Sequence, residues 1–147
     1  MVINIFKKKT KEVKSEKNLV LICALFVHAA KMDENYTDKE KSIILKALSE
    51  ISGKKENELK IILKKAEKKE SQSNQILEFT KEVKNSEKNL RLKILEVLWR
   101  IIYSDGISDM YESNLMRRLS GLLYVSDKET GDIKQLIINS KQHDISW

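Results

Sequence analysis

The sequence predicts an all-α protein: a single-domain helical bundle of about seven helices built from two pseudo-repeats, each with an acidic helix-turn-helix. Three observations predict it. Apolar residues recur at three- and four-residue intervals along most of the chain, the period of a helix with one buried face, and no stretch alternates as a half-buried strand does. The chain has no proline, four glycines, and 41% hydrophobic against 34% charged residues in 147 positions, which suits one helical domain large enough to bury a core. Sliding the chain against itself by 72 positions sets Asp33 on Asp105, Thr37 on Asp109 and Glu40 on Glu112, with the amphipathic segments that follow in phase. Residues 1–17 are expected to form a basic N-terminal segment, 18–141 the helical domain and 142–147 a C-terminal tail.

The first segment joins a small apolar tip (Val2, Ile3, Ile5, Phe6) to Lys7, Lys8, Lys9, Lys11 and Lys14. That composition suits either a frayed terminus or a weak anchor on an anionic membrane surface. A helix from Asn18 to about Met32 follows, apolar around almost its whole circumference and so buried on several sides. Thr37 and Glu40 then have the spacing of a capping box and open a second helix with Ile43, Ile44, Ala47, Leu48 and Ile51 on one face, ended by Ser52-Gly53. A third helix carries Leu59, Ile62, Leu63 and Ala66, and the polar run Lys68 to Asn74 reads as a loop or fraying end. A short fourth helix places Ile76, Leu77, Thr80 and Val83 inward and ends near Asn85-Ser86.

The stretch Ile94 to Leu123 organises the second half. Leu90, Ile94, Val97, Leu98 and Ile101, widened by Leu95 and Ile102, give a stripe broad enough for a central helix. Gly106 can end that helix, because a residue without Cβ enters the left-handed region at little cost. Asp109 and Glu112 form a second capping box before a helix that faces Leu115, Met116, Leu119, Leu122 and Leu123 inward. Ser126 and Glu129 form a third, and Ile133, Leu136 and Ile137 face the core from the last helix. Asp105 lies where the negative end of a helix dipole disfavours a carboxylate, so something must compensate it: loop N–H groups from 106 to 109, the Arg117-Arg118 pair, or a cation shared with Glu112.

Several function classes are excluded or weakened. The longest apolar run, Leu19 to Val27, is too short to span a bilayer, which takes about 20 residues. The lone Cys23 can form no internal disulfide and reads as a buried inert thiol, and with no cleavable leader before it a cytoplasmic location is expected. The net charge of +6 comes from scattered lysines with only Arg91, Arg100, Arg117 and Arg118 as arginines, which argues against specific nucleic-acid binding. His28 and His143 stand apart from each other, so soft-metal chemistry is not expected.

The twice-occurring pattern of Asp, seven positions, then Glu opening a helix, with YSDGISDMYESNLMRRLSGLLYVSDKE in the second half, resembles the tellurite-resistance TerB-like family over roughly Leu19 to Ile138. The first half departs from it by having Asp33-Glu34 where the family has Asp-Gly. The resemblance implies an all-helical, non-enzymatic bacterial stress module in which Asp33, Glu40, Asp105 and Glu112 are candidate metal or partner residues. Carboxylates of this kind suit a hard divalent cation, calcium or magnesium, held through oxygen. They suit equally an unidentified protein partner, or capping alone, since a cap by itself contributes about 1 kcal/mol. A homodimer through the third or fourth helix is compatible with the sequence. Two alternatives are weaker: a membrane-surface adaptor docking through residues 1–14, and a hydrolase-type enzyme using the paired carboxylates, for which no nucleophile, phosphate loop or partnered histidine speaks.

Overall fold

A computed structural model of the protein describes residues 15–32, 36–73, 76–104 and 110–142, and within them seven helices and no strand. They are α1 (Glu16–Lys31), α2 (Asp38–Ser52), α3 (Glu56–Ser71), α4 (Leu77–Val83), α5 (Lys88–Ile102), α6 (Met110–Leu122) and α7 (Asp127–Gln142). The expected segments at Val2 to Lys14 and at Trp147 lie outside the described residues.

Helix α1 is apolar all round and is covered accordingly, packing against α2, α3, α4 and α5. Leu19, Leu25, Phe26 and Val27 have no exposed surface, and Ala24, Ala29 and Ala30 are small enough to let neighbours approach. Helix α5 is the second central rod, packed against α1, α2, α6 and α7, with every residue of its expected stripe buried. The two broadest apolar helices therefore meet in the middle, and the shorter faces close around them. Helices α1, α2 and α3 begin at 16, 38 and 56, and α5, α6 and α7 at 88, 110 and 127, so corresponding starts are 71 or 72 residues apart.

The ends of the helices follow local chemistry. Thr37 caps α2 and Gly53 ends it with φ +73°, donating its N–H to Ser49 O at 2.8 Å. At the start of α7 the Ser126 hydroxyl and N–H both reach Glu129 Oε1, at 2.9 and 3.3 Å, and Glu129 N–H returns to Ser126 Oγ at 3.1 Å. Lys88, at the start of α5, adds an ammonium 2.8 Å from Glu129 Oε2. That ammonium first, and the Ser126 hydrogen bonds second, draw the Glu129 carboxyl down to about 2 from the usual 4.5. A depressed carboxylate contributes stability above its unfolded value that is lost as pH falls towards its folded one. Glu129→Gln should therefore differ from wild type by a constant amount above about pH 5.5. That difference should close between pH 4.5 and about 2, as urea denaturation at stepped pH would reveal.

Helix α6 ends in a Schellman arrangement, with Val125 N–H on Ser120 O at 2.9 Å and Tyr124 N–H on Gly121 O at 3.2 Å. Its left-handed position, normally glycine, is held by Tyr124 at φ +58° with 64% of its surface exposed. Arg91 of α5 secures the turn, reaching Leu123 O and Tyr124 O with Nη1 at 3.0 Å each. An L-residue held there costs about 1–2 kcal/mol, while glycine loses about 0.5–1 kcal/mol more backbone entropy on folding. Tyr124→Gly is thus expected to raise the unfolding free energy by about 0.5–1 kcal/mol, a gain visible in the urea midpoint.

Three expectations are corrected. The run from Lys68 continues α3 as far as Ser71, because Leu59, Ile62, Leu63 and Ala66 keep their helical phase through to a buried Glu70. In α4 the inward residues are Ile76, Phe79, Thr80 and Val83, so Leu77 falls on the outside at 52% exposure. In α7, Leu136 is 55% exposed, since the helix packs mainly on α5 and α6 and its covered stripe is narrow: Ile137 is buried and Ile133 partly so.

Candidate functional site

In sequence, the candidate carboxylates follow the ends of α1 and α5 and open α2 and α6. Of the four, Glu40 is fully described. It is 2% exposed, and its Oε1 accepts from Thr37 N–H at 2.8 Å and lies 3.3 Å from Thr37 Oγ1, while its own N–H donates to that hydroxyl at 3.2 Å. At least one oxygen of Glu40 therefore works as a cap. Asp33, Asp105 and Asp109 lie outside the described residues, and of Glu112 only its place as the third residue of α6 is described. Asp38, in the first turn of α2, is exposed. Among the described residues no three His, Cys, Asp or Glu side chains gather as a metal cluster.

One contact bears on how the two turns relate. Lys39 Nζ donates to Ser104 O at 2.9 Å, across 65 residues of sequence. The start of α2, just after the first acidic turn, is thereby set against the residue that precedes Asp105. The ammonium also sits at the carbonyl end of α5, where a cation offsets the negative end of the helix dipole. Lys39 was not among the groups expected to compensate Asp105, which itself lies outside the described residues. Arg117 and Arg118, which were, are exposed residues in the later half of α6.

The entry of α2 is also tied to α3. Tyr36 donates its hydroxyl to Glu67 Oε2 at 2.7 Å, and Lys41 lies 4.9 Å from the Tyr36 ring centroid and 3.8 Å from the same carboxylate oxygen. Burial, then the Glu67 carboxylate, push the Tyr36 hydroxyl well above its usual range, so it stays a donor. This strap joins the entry of α2 to the middle of α3.

His28 is not the isolated histidine that was expected. Its Nδ1 lies 3.1 Å from Glu70 Oε2, and Lys31 Nζ lies 2.9 Å from Glu70 Oε1, a cluster that ties α1 to the end of α3. Since a carboxylate only accepts, Nδ1 is the nitrogen carrying hydrogen. The His28 ring is tilted 56° to Phe79 of α4. The signal that could have found this cluster is the apolar phase of α3, which runs 59, 62–63, 66 and on to 70.

Acid–base or nucleophilic chemistry gains little from these groups. Cys23 is fully buried, and desolvation raises its thiol so far that a thiolate is strongly disfavoured. Arg91 and Arg100, two of the four arginines, serve the fold: the first holds backbone carbonyls and the second lies 3.3 Å from Glu96. No helix among the described residues is long and apolar enough to cross a membrane.

Comparison with known proteins gives one match. A family model described as tellurite resistance protein TerB matches residues 20–135, from within α1 to within α7. No curated protein and no solved structure matches the chain.

Proposed function

The chain belongs to the TerB family of tellurite resistance proteins, and on that premise we propose that it is a non-enzymatic stress-response module whose paired acidic turns hold a hard divalent cation, calcium or magnesium, and present it to a protein partner. The observation that supports the reading is the 2.9 Å contact from Lys39 to Ser104, which sets the entry of α2 against the exit of α5, the two helix ends from which the acidic turns run. Asp33, Asp105 and Glu112 would supply oxygen ligands. Glu40 would hold the entry of α2 in shape through its cap. Hard cations favour this ligand type, and the site uses neither thiol nor imidazole.

Calorimetry with calcium and with magnesium is the direct test, run on wild type and on Asp105→Ala/Glu112→Ala. Saturable heat that the double variant lacks supports the site. Equal heats in the two samples, or none in either, leave the carboxylates as helix caps. Thr37→Ala separates the two roles in the first half: losing the cap should cost about 1 kcal/mol of stability while leaving cation heat in place.

A further inference from the structure

We propose that residues 6–13 fold as a helix, the counterpart of α4, and dock on a half-open face of α5. That stretch lies outside the described residues. Thr10 to Leu19 reads TKEVKSEKNL, and Thr80 to Leu90, leading from α4 into α5, reads TKEVKNSEKNL, the same but for an inserted Asn85. Both central helices are thus approached through one repeated sequence. Carried back without a gap, the offset of 70 positions sets Phe6, Thr10 and Val13 on Ile76, Thr80 and Val83, all buried in the first half. It also sets Lys7, Lys8 and Lys11 on Leu77, Glu78 and Lys81, all exposed. The segment therefore has an inward face where α4 has one and a charged face where α4 meets water.

The receiving face follows from the correspondence of α5 with α1. Helix α4 packs on α1 and brings the Phe79 ring to 6.1 Å from that of His28, centroid to centroid. Ala24 and Leu21, one and two turns earlier on that side of α1, are buried. Helices α1 and α5 begin at 16 and 88, and at that spacing His28 falls on Arg100, Ala24 on Glu96 and Leu21 on Lys93. On α5 this face is not closed. The side chains of Lys93, Glu96 and Arg100 are 17%, 22% and 28% exposed, and Glu96 lies 3.2 Å from the first and 3.3 Å from the last. The one inward position where the segment departs from α4 answers that difference: Lys9 replaces Phe79 where α5 carries the Glu96 carboxylate in place of Ala24. The reach is the same in both halves. Helices α1 and α5 pack against each other, so a chain entering α1 at Ser15 can come from α5, as the chain entering α5 comes from α4 on α1. Docked in this way, Phe6 and Val13 are withdrawn from any bilayer, and neither the acidic turns nor a bound cation enters the contact.

Cys23 is fully buried, so a thiol-directed nitroxide on Lys8→Cys marks the outer side of the segment alone. In two-dimensional NMR of the full chain, that label should broaden the amide resonances of α5 from Lys93 to Arg100. Adding Val13→Asp, a charge on the inward face, should abolish the broadening while the spectrum keeps its folded dispersion. The proposal is overturned if the broadening is confined to the start of α1 and its neighbours, the pattern of a segment that leaves the bundle, or if it survives Val13→Asp. It is overturned equally if α5 is broadened only between chains, in a mixture of nitroxide-bearing and isotope-labelled protein, since the occupant would then be a second copy.

Discussion

Phe26→Ala is expected to lower the free energy of unfolding by about 3–5 kcal/mol, the largest effect of any single truncation in the described core. Phe26 is fully buried on a helix packed against four others, α2 to α5. The cost has two parts: the transfer energy of the lost ring, and a cavity that walls anchored on several sides cannot collapse to fill. For a domain of ordinary stability this is a third or more of the whole, and thermal unfolding should begin roughly 10 °C earlier. Leu77→Ala is the matched control, because Leu77 is 52% exposed and its loss should stay within about 0.5 kcal/mol. Urea denaturation with an unchanged slope reads both. Similar midpoints for the two variants would mean that α1 is not the packed centre of the bundle.

What was legible in the sequence was whatever lay within a turn or two of helix. The caps at Thr37-Glu40 and Ser126-Glu129 span four residues each, and their donors and acceptors are all local, so spacing alone identifies them. The wide apolar stripes of α1 and α5 likewise mark helices that must be covered on several sides, and they meet each other as expected. Residues whose role is set by a distant partner were not legible. Glu70 reads as one more charge in a polar run until α1 supplies His28 and Lys31. Lys39 reads as surface until α5 ends beside it. Trp99 lies outside the stripe assigned to α5 from its aliphatic residues, yet it is 2% exposed because α5 is packed around most of its circumference. Leu77 and Leu136 err in the other direction: apolar side chains at a plausible phase stay exposed when no neighbouring helix arrives to cover them.

The cluster around Glu70 yields the second large effect, and the order of its variants carries the argument. Removing the carboxylate in Glu70→Ala gives up two charge-assisted contacts, at about 1.5–3 kcal/mol each before relaxation. The partners left behind can recover part of that loss, since the Lys31 side chain is 39% exposed and that of His28 is 23% exposed and both can turn to water. A net loss of about 2 kcal/mol is expected. Removing the partners instead, as His28→Ala/Lys31→Ala, strands a carboxylate that is only 8% exposed, and a buried charge without its hydrogen-bonding partners costs about 3–5 kcal/mol. Adding Glu70→Leu to that double variant removes the stranded charge and should return about half of the lost stability, because an apolar side chain of similar size packs where an unpaired carboxylate is penalised. Equilibrium denaturation of the four proteins measures every step. A triple variant less stable than the double would show that Glu70 contributes through contacts other than His28 and Lys31, and the account of α3 as a helix clamped to α1 by one buried carboxylate would have to be given up.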